Sequence, residues 1–301
     1  MAGLKELRGR IAAIKSTEKI TSAMKMVAAS RLRRAQDILN KSKTYRNSVY
    51  DTISRINYAI KKKSDENVEL RPTFLNQPKD NQQKYLLIVM TSDKGLCGSY
   101  NSSIGRTAVA RIEELLSLGK DVKVITLGRK GYNILRRRHL DLIVKNAESV
   151  VNKGVEYSEA TSLAEEITAM FKNNEIDVCE IVYSRFKSAL SREIKSEQVL
   201  PFDLNKIYTD ATDMRDNSIY SFEPGYDTLL QTLVPMAFKE FIFDMMINSQ
   251  ASEQGARMAS MDNATRNAGE MISKLTLRYN RMRQGAITTE LTEIISGAEA
   301  I

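Results

Sequence analysis

The chain has 301 residues, 42% hydrophobic and 27% charged, enough for one large or two ordinary folded domains and unlike a disordered or fibrous composition. Its formal net charge of +8 is unevenly placed: residues 1–63 hold 16 Lys/Arg against Glu6, Glu18, Asp37 and Asp51, an excess of +12 that leaves the remainder net acidic. One histidine, two distant cysteines and no run of 18 apolar residues exclude a cysteine–histidine metal cluster, a disulfide framework and a membrane-spanning helix. Aromatic residues are only 7% and tryptophan is absent, sparse for a compact enzyme core.

The opening Met1-Ala2-Gly3-Leu4-Lys5 has no apolar signal core and enters a helical pattern at once, so no secretory or transit segment is expected. Pro72, Pro78, Pro201, Pro224 and Pro235 leave residues 1–71 and 236–301 free of the strongest helix breaker. In the first of these stretches apolar residues fall at Leu4, Leu7, Ile11 and Ile14. After a slip in register they resume at Ile20, Met24, Val27, Leu32, Ala35 and Leu39. That stripe predicts a long amphipathic helix over residues 1–63, about 90 Å at 1.5 Å per residue. Residues 64–83, rich in Asn, Asp, Ser and Pro, read as a linker.

From residue 84 to 224 the pattern changes to short apolar runs alternating with helical ones. Strands are expected at Tyr85–Met90, Val122–Leu127, Leu142–Val144 and Val178–Tyr183, with a further run near Glu197–Leu200. Helices are expected at Ser102–Leu118, near Lys130–Arg138 and over 158–172. This alternation predicts a mostly parallel sheet covered on both faces, a Rossmann-like α/β domain. Beyond Pro224-Gly225 a second long helix is expected over 225–301. Its stripe runs Leu229, Leu233, Ala237, Phe241, Met245, then Ala264, Ala268, Met271, Leu275, Tyr279, Met282 and Ala286.

Two helices of that length cannot both cover a domain of roughly 140 residues, whose radius of gyration would be about 14 Å. The economical fold is therefore α/β plus a long antiparallel coiled coil, with the terminal helices paired and the α/β domain inserted between them. Ala251, Ser252, Gly255, Ala256 and Ala259 are expected to form a seam that lets the backbones approach closely.

The sharpest local motif is the turn Ser92-Asp93-Lys94-Gly95-Leu96-Cys97-Gly98-Ser99-Tyr100-Asn101, directly after the first strand. A glycine-rich strand-to-helix turn can cradle phosphate, but this one matches neither G-x-G-x-x-G nor G-x-x-x-x-G-K-[ST], and it reads as a tight structural turn. His139, in the run Arg136-Arg137-Arg138-His139, is expected to be a solvated surface histidine, not the base of a triad. Lys15, Lys19, Lys25, Arg31, Arg33 and Arg34 surround their helix, and no aromatic precedes Tyr45. That distribution favours a solvated or acidic-protein-facing surface over nucleic acid. Neither a metal nor a cofactor is called for.

Three stretches resemble the signatures of F-type ATP synthase gamma subunits: Leu7 to Ala29 (LRGRIAAIKSTEKITSAMKMVAA), the SDKGLCGSYN turn, and the C-terminal Ser252–Met258, Met261–Thr265 and Tyr279–Leu291. Alanine is common in that family where Gly255 and Gly285 stand; each glycine should cost about 1 kcal/mol in an exposed helix interior. The resemblance implies a non-catalytic rotor shaft, one copy per complex, coupling rotation of a proton-driven ring to catalytic beta subunits. Its implied partners are the alpha and beta subunits, the epsilon subunit and the c-subunit ring, with the membrane met only through the complex. By position, Met24, Lys25, Arg283, Gln284, Thr288 and Glu290 would meet a beta subunit, and Tyr220, Phe222 and Glu223 the c-ring loops. The α/β domain would then be the foot of the shaft, on the cytoplasmic face of a bacterial inner membrane.

Overall fold

The computed structural model describes residues 2–63, 83–147, 154–189, 191–202, 223 and 225–299. Two compact units emerge, Met1–Ser30 with Arg257–Ile301, and Arg31–Ala256. The elements in chain order are α1 (Ala2–Lys63), β1 (Lys84–Met90), α2 (Tyr100–Ser117), β2 (Asp121–Leu127), α3 (Arg129–Leu135) and β3 (Ile143–Ala147). They continue with α4 (Tyr157–Lys172), β4 (Val178–Phe186), β5 (Arg192–Leu200) and α5 (Tyr226–Glu299). The long helices form where the sequence lacks breakers. Pro235 lies inside α5 without ending it, because Leu230, Val234, Ala237, Phe238 and Ile242 are buried around it and their packing outweighs one lost backbone bond.

In the larger unit the sheet has the order β3-β2-β1-β4-β5. The pairs β1–β2, β1–β4 and β2–β3 are parallel, as the strand–helix alternation predicts. β4 and β5 form an antiparallel edge, so the apolar run near Glu197–Leu200 is a separate strand. α2 packs on one face through Tyr100, Ile104, Ala108, Ile112 and Leu115, a one-sided stripe set against Leu87, Val89, Val122, Val124 and Val182. Arg111 of α2 donates two hydrogen bonds, of 2.9 and 2.5 Å, to the buried Glu180 of β4. α4 meets α5 through Tyr157 on Phe243, ring centroids 5.2 Å apart, and through Glu165 paired with Lys239.

The smaller unit is an antiparallel helix pair. Lys25 donates to Asp262 at 2.6 Å, the hydroxyls of Thr21 and Thr265 lie 2.8 Å apart, Glu18 sits beside Gly269, and Gly3 beside Met282. Numbers rise on one helix as they fall on the other, which fixes the direction. Leu7 and Ala268 are buried as expected, but the seam shifts by one residue at three of the expected positions. Ile20 and Val27 are exposed at 57% and 55%, while Thr21 and Ala28 are buried. On α5, Met271 is exposed and Ile272 is half-buried in its place. At 21 and 28 the seam takes Thr and Ala in place of the neighbouring Ile20 and Val27.

The small residues at 251–256 also serve another purpose than expected. Met245 to Ala256 are buried without interruption, so α5 is enclosed on all sides there. A Cβ at Gly255 would lie 3.2 Å from the carbonyl oxygen of Ala189 and 3.6 Å from the Phe186 ring. Gly255 is thus a close-approach position, not an exposed one, whereas Gly285 is exposed with nothing within 4 Å. His139 is half-buried with Nε2 enclosed and without a hydrogen-bond partner among the described residues, contrary to the solvated histidine expected.

Candidate functional site

In a doubly wound sheet the ligand crevice lies beyond the carboxyl ends of the strands, where the strand order reverses; here that point is between β1 and β4. α5 fills it. The Tyr100 hydroxyl lies 2.7 Å from that of Ser249, Ser252 Oγ donates to the Ser184 carbonyl at 3.0 Å, and the Phe186 amide donates to Asn248 Oδ1 at 3.2 Å. Ala256 belongs to the same apolar cluster as α2 and the parallel strands.

The glycine turn after β1 is closed on itself. Asn101 Oδ1 accepts from the Ser92 amide at 3.0 Å, Asn101 Nδ2 donates to Ser92 Oγ at 2.8 Å, and Ser92 Oγ donates to the Lys94 carbonyl at 2.7 Å. Gly98, with φ +57°, supplies the left-handed step that returns the chain into α2. Cys97 and Cys179 are both buried, and enclosure pushes the Cys179 thiol well above its ordinary range. No cluster of three potential metal ligands occurs among the described residues.

In the smaller unit, side chains 283–296 of α5 are all exposed, beyond the level of Met282, which neighbours Gly3 at the start of α1. Arg283, Gln284, Thr288 and Glu290 lie on this unpaired stretch. Arg283 and Glu290 make no ion pair among the described residues, and the Thr288 hydroxyl donates to the Gln284 carbonyl at 3.0 Å. Lys25 is half-exposed and its ammonium is held by Asp262, whose carboxyl the Lys25 hydrogen bond keeps below the usual range. Met24 is half-buried beside it, while Ile20 and Val27, which the periodicity assigned to the seam, are exposed together with Met26. Lys5, Arg8, Lys15 and Lys19 stand in solvent on the same helix. Of the other expected contacts, Glu223 is exposed, and Tyr220 and Phe222 lie outside the described residues. No helix among the described residues is long and apolar enough to cross a membrane.

A family model described as ATP synthase matches residues 3–301. Curated proteins named ATP synthase gamma chain are 42% identical in Paramagnetospirillum magneticum and 43% identical in Gluconacetobacter diazotrophicus, over 301 residues and the whole of both chains. Among solved structures, a chain of the Tetrahymena thermophila mitochondrial ATP synthase central stalk and c-ring aligns with TM-score 0.57 at 27% identity, covering 81% of this chain and 99% of that one. A chain of the Euglena gracilis mitochondrial ATP synthase, 18% identical, shares the fold with TM-score 0.63 over 99% of this chain and 94% of its own.

Proposed function

The chain belongs to the ATP synthase gamma-chain family, and on that premise we propose that it turns as the central rotor shaft of a proton-translocating F-type enzyme. It couples rotation of a c-subunit ring to the conformational cycling of the catalytic beta subunits, and it catalyses nothing itself. The observation that carries this reading is residues 283–296 of α5, helical, exposed on every side and without a partner helix among the described residues. An isolated helix of that kind is marginal in water, so it serves as an insert into another protein's cavity. Arg283, Gln284, Thr288 and Glu290 would there meet a beta subunit, with Met24 and Lys25 meeting another part of it.

The absence of catalysis is supported by α5 occupying the crevice between β1 and β4 and by the self-closed glycine turn. On this reading, residues 84–224 are the foot, resting on the c-ring near Glu223 and binding the epsilon subunit, and residues 1–63 and 225–301 are the shaft. The protein is then peripheral, one copy per complex, on the cytoplasmic face of a bacterial inner membrane; the bacterial origin of its relatives supports that location. Because both native cysteines are buried, a single cysteine at the exposed Leu118 can carry a fluorescent particle. With the alpha–beta hexamer immobilised, the particle should rotate continuously in one sense during ATP hydrolysis. A particle that stays still while hydrolysis proceeds at full rate would remove the rotor reading.

A further inference from the structure

Between α1, α4 and α5, within the larger unit, lies an open pocket of about 390 Å³ lined by Ile38, Lys41, Ser42, Tyr45, Tyr157, Glu240 and Phe243. Its size is at the low end of the roughly 300–1,000 Å³ of small-ligand sites. Glu240 is 2% exposed, and its Oε1 is enclosed with no hydrogen-bond partner among the described residues. The cation nearest in charge, Arg46, is already paired with Asp244. The walls are Tyr45, Tyr157 and Phe243, the last two in edge contact at 5.2 Å. An unpaired carboxyl among aromatic rings is the arrangement that recognises an organic cation: the rings attract the charge, and the carboxylate takes its N–H groups. Lys41 is exposed and can keep its ammonium in water while its stem borders the pocket.

We propose that this pocket receives the guanidinium or ammonium head of an arginine or lysine side chain presented by a partner subunit. The partner's being a subunit rests on the rotor assembly proposed above; the recognition chemistry does not. The groups facing Glu240 are Lys41, Tyr45, Arg46 and Tyr50 of α1, Tyr157 of α4 and Asp244 of α5. Burial raises the Glu240 carboxyl to about 7, Arg46 opposing and Asp244 adding to the shift. Below that pH a proton competes with the cation, so affinity for a cation rises from pH 6 to pH 8 by about tenfold.

The test uses the full chain with its 12 tyrosines ring-labelled, titrated with n-butylguanidinium and with its neutral isostere n-butylurea. The cation should perturb a small set of tyrosine signals saturably, about tenfold more tightly at pH 8 than at pH 6, and the urea should not. Glu240→Gln, which keeps the shape and removes the charge, should weaken the cation at least about tenfold and flatten the pH dependence. No saturable shift, or a shift indifferent to Glu240→Gln, overturns the site and leaves the rotor reading untouched. In the assembled enzyme, benzoylphenylalanine at Tyr45 should crosslink to an Arg- or Lys-bearing segment of another subunit, less so with Glu240→Gln. Crosslinks confined to this chain would overturn the partner as the source of the cation.

Discussion

A β-carbon added at Gly255 would sit 3.2 Å from the Ala189 carbonyl oxygen, tighter than ordinary contact, while one added at Gly285 would meet open space. Both glycines carry the same backbone-entropy cost of about 1 kcal/mol relative to alanine in a helix. Gly285→Ala should therefore recover roughly 0.5–1 kcal/mol of helix stability. Gly255→Ala must push the Ala189 loop or α5 by a few tenths of an ångström, and the strain offsets the same gain. Chemical denaturation of the two variants should show the Gly285 change clearly more stabilising. Equal gains would mean that the loop at Ala189 yields freely.

At the scale of the elements, the pairing of α1 with α5 is narrow. Thr21 faces Thr265, Ala28 and Ala268 are buried along the same seam, and the bond between the two threonine hydroxyls substitutes for apolar bulk. Cysteines at Thr21 and Thr265 should form an intramolecular disulfide on mild oxidation, since side-chain atoms already 2.8 Å apart bring the β-carbons near the ~3.8 Å that a disulfide needs. Cysteines at Ile20 and Thr265 should not, because Ile20 points into solvent. Enlarging a seam residue is a second measure of the same phase. Ala28→Leu should destabilise by about 1–3 kcal/mol through overpacking, and Val27→Ala by less than about 0.5 kcal/mol. Facile crosslinking from position 20 would restore the register read from periodicity alone.

For the molecule as a whole, the question is how a shaft transmits force. The exposed stretch of α5 offers Arg283, whose guanidinium can take a carboxylate in two parallel bonds, with Gln284 adding a neutral donor and acceptor next to it. Charge-assisted bonds of about 1.5–3 kcal/mol can hold one beta subunit and still release at each step. Arg283→Ala with Gln284→Ala should slow ATP synthesis per assembled enzyme by about tenfold while leaving membrane-bound enzyme content near parental, since neither side chain packs in the helix pair. Measuring content and rate together separates the two effects. Parental synthesis by the assembled double variant would show that the pair is not the latch.

The sequence by itself determined the helical ends, the α/β alternation and the placement of charge. Each follows from local chemistry: proline-free stretches with a 3.6-residue stripe, short β-branched runs separated by turns, and cations gathered in residues 1–63. That Arg283 and Gln284 point away from the apolar stripe was legible too, from their place between Met282 and Ala286. The phase of the seam was not, because neighbouring apolar residues such as Met271 and Ile272 fit the period equally well, and only a partner surface chooses between them. Nor could one chain position announce that Ser249, Ser252 and Gly255 fill the crevice beyond β1 and β4, since the residues they meet lie tens to well over a hundred positions away. By sequence Glu240 is one glutamate on a helix; only the three helices packed around it enclose its Oε1, which accepts no hydrogen bond among the described residues. Periodicity is a property of the chain, whereas burial and register are properties of the pair of surfaces that meet, so only the tertiary structure settled them.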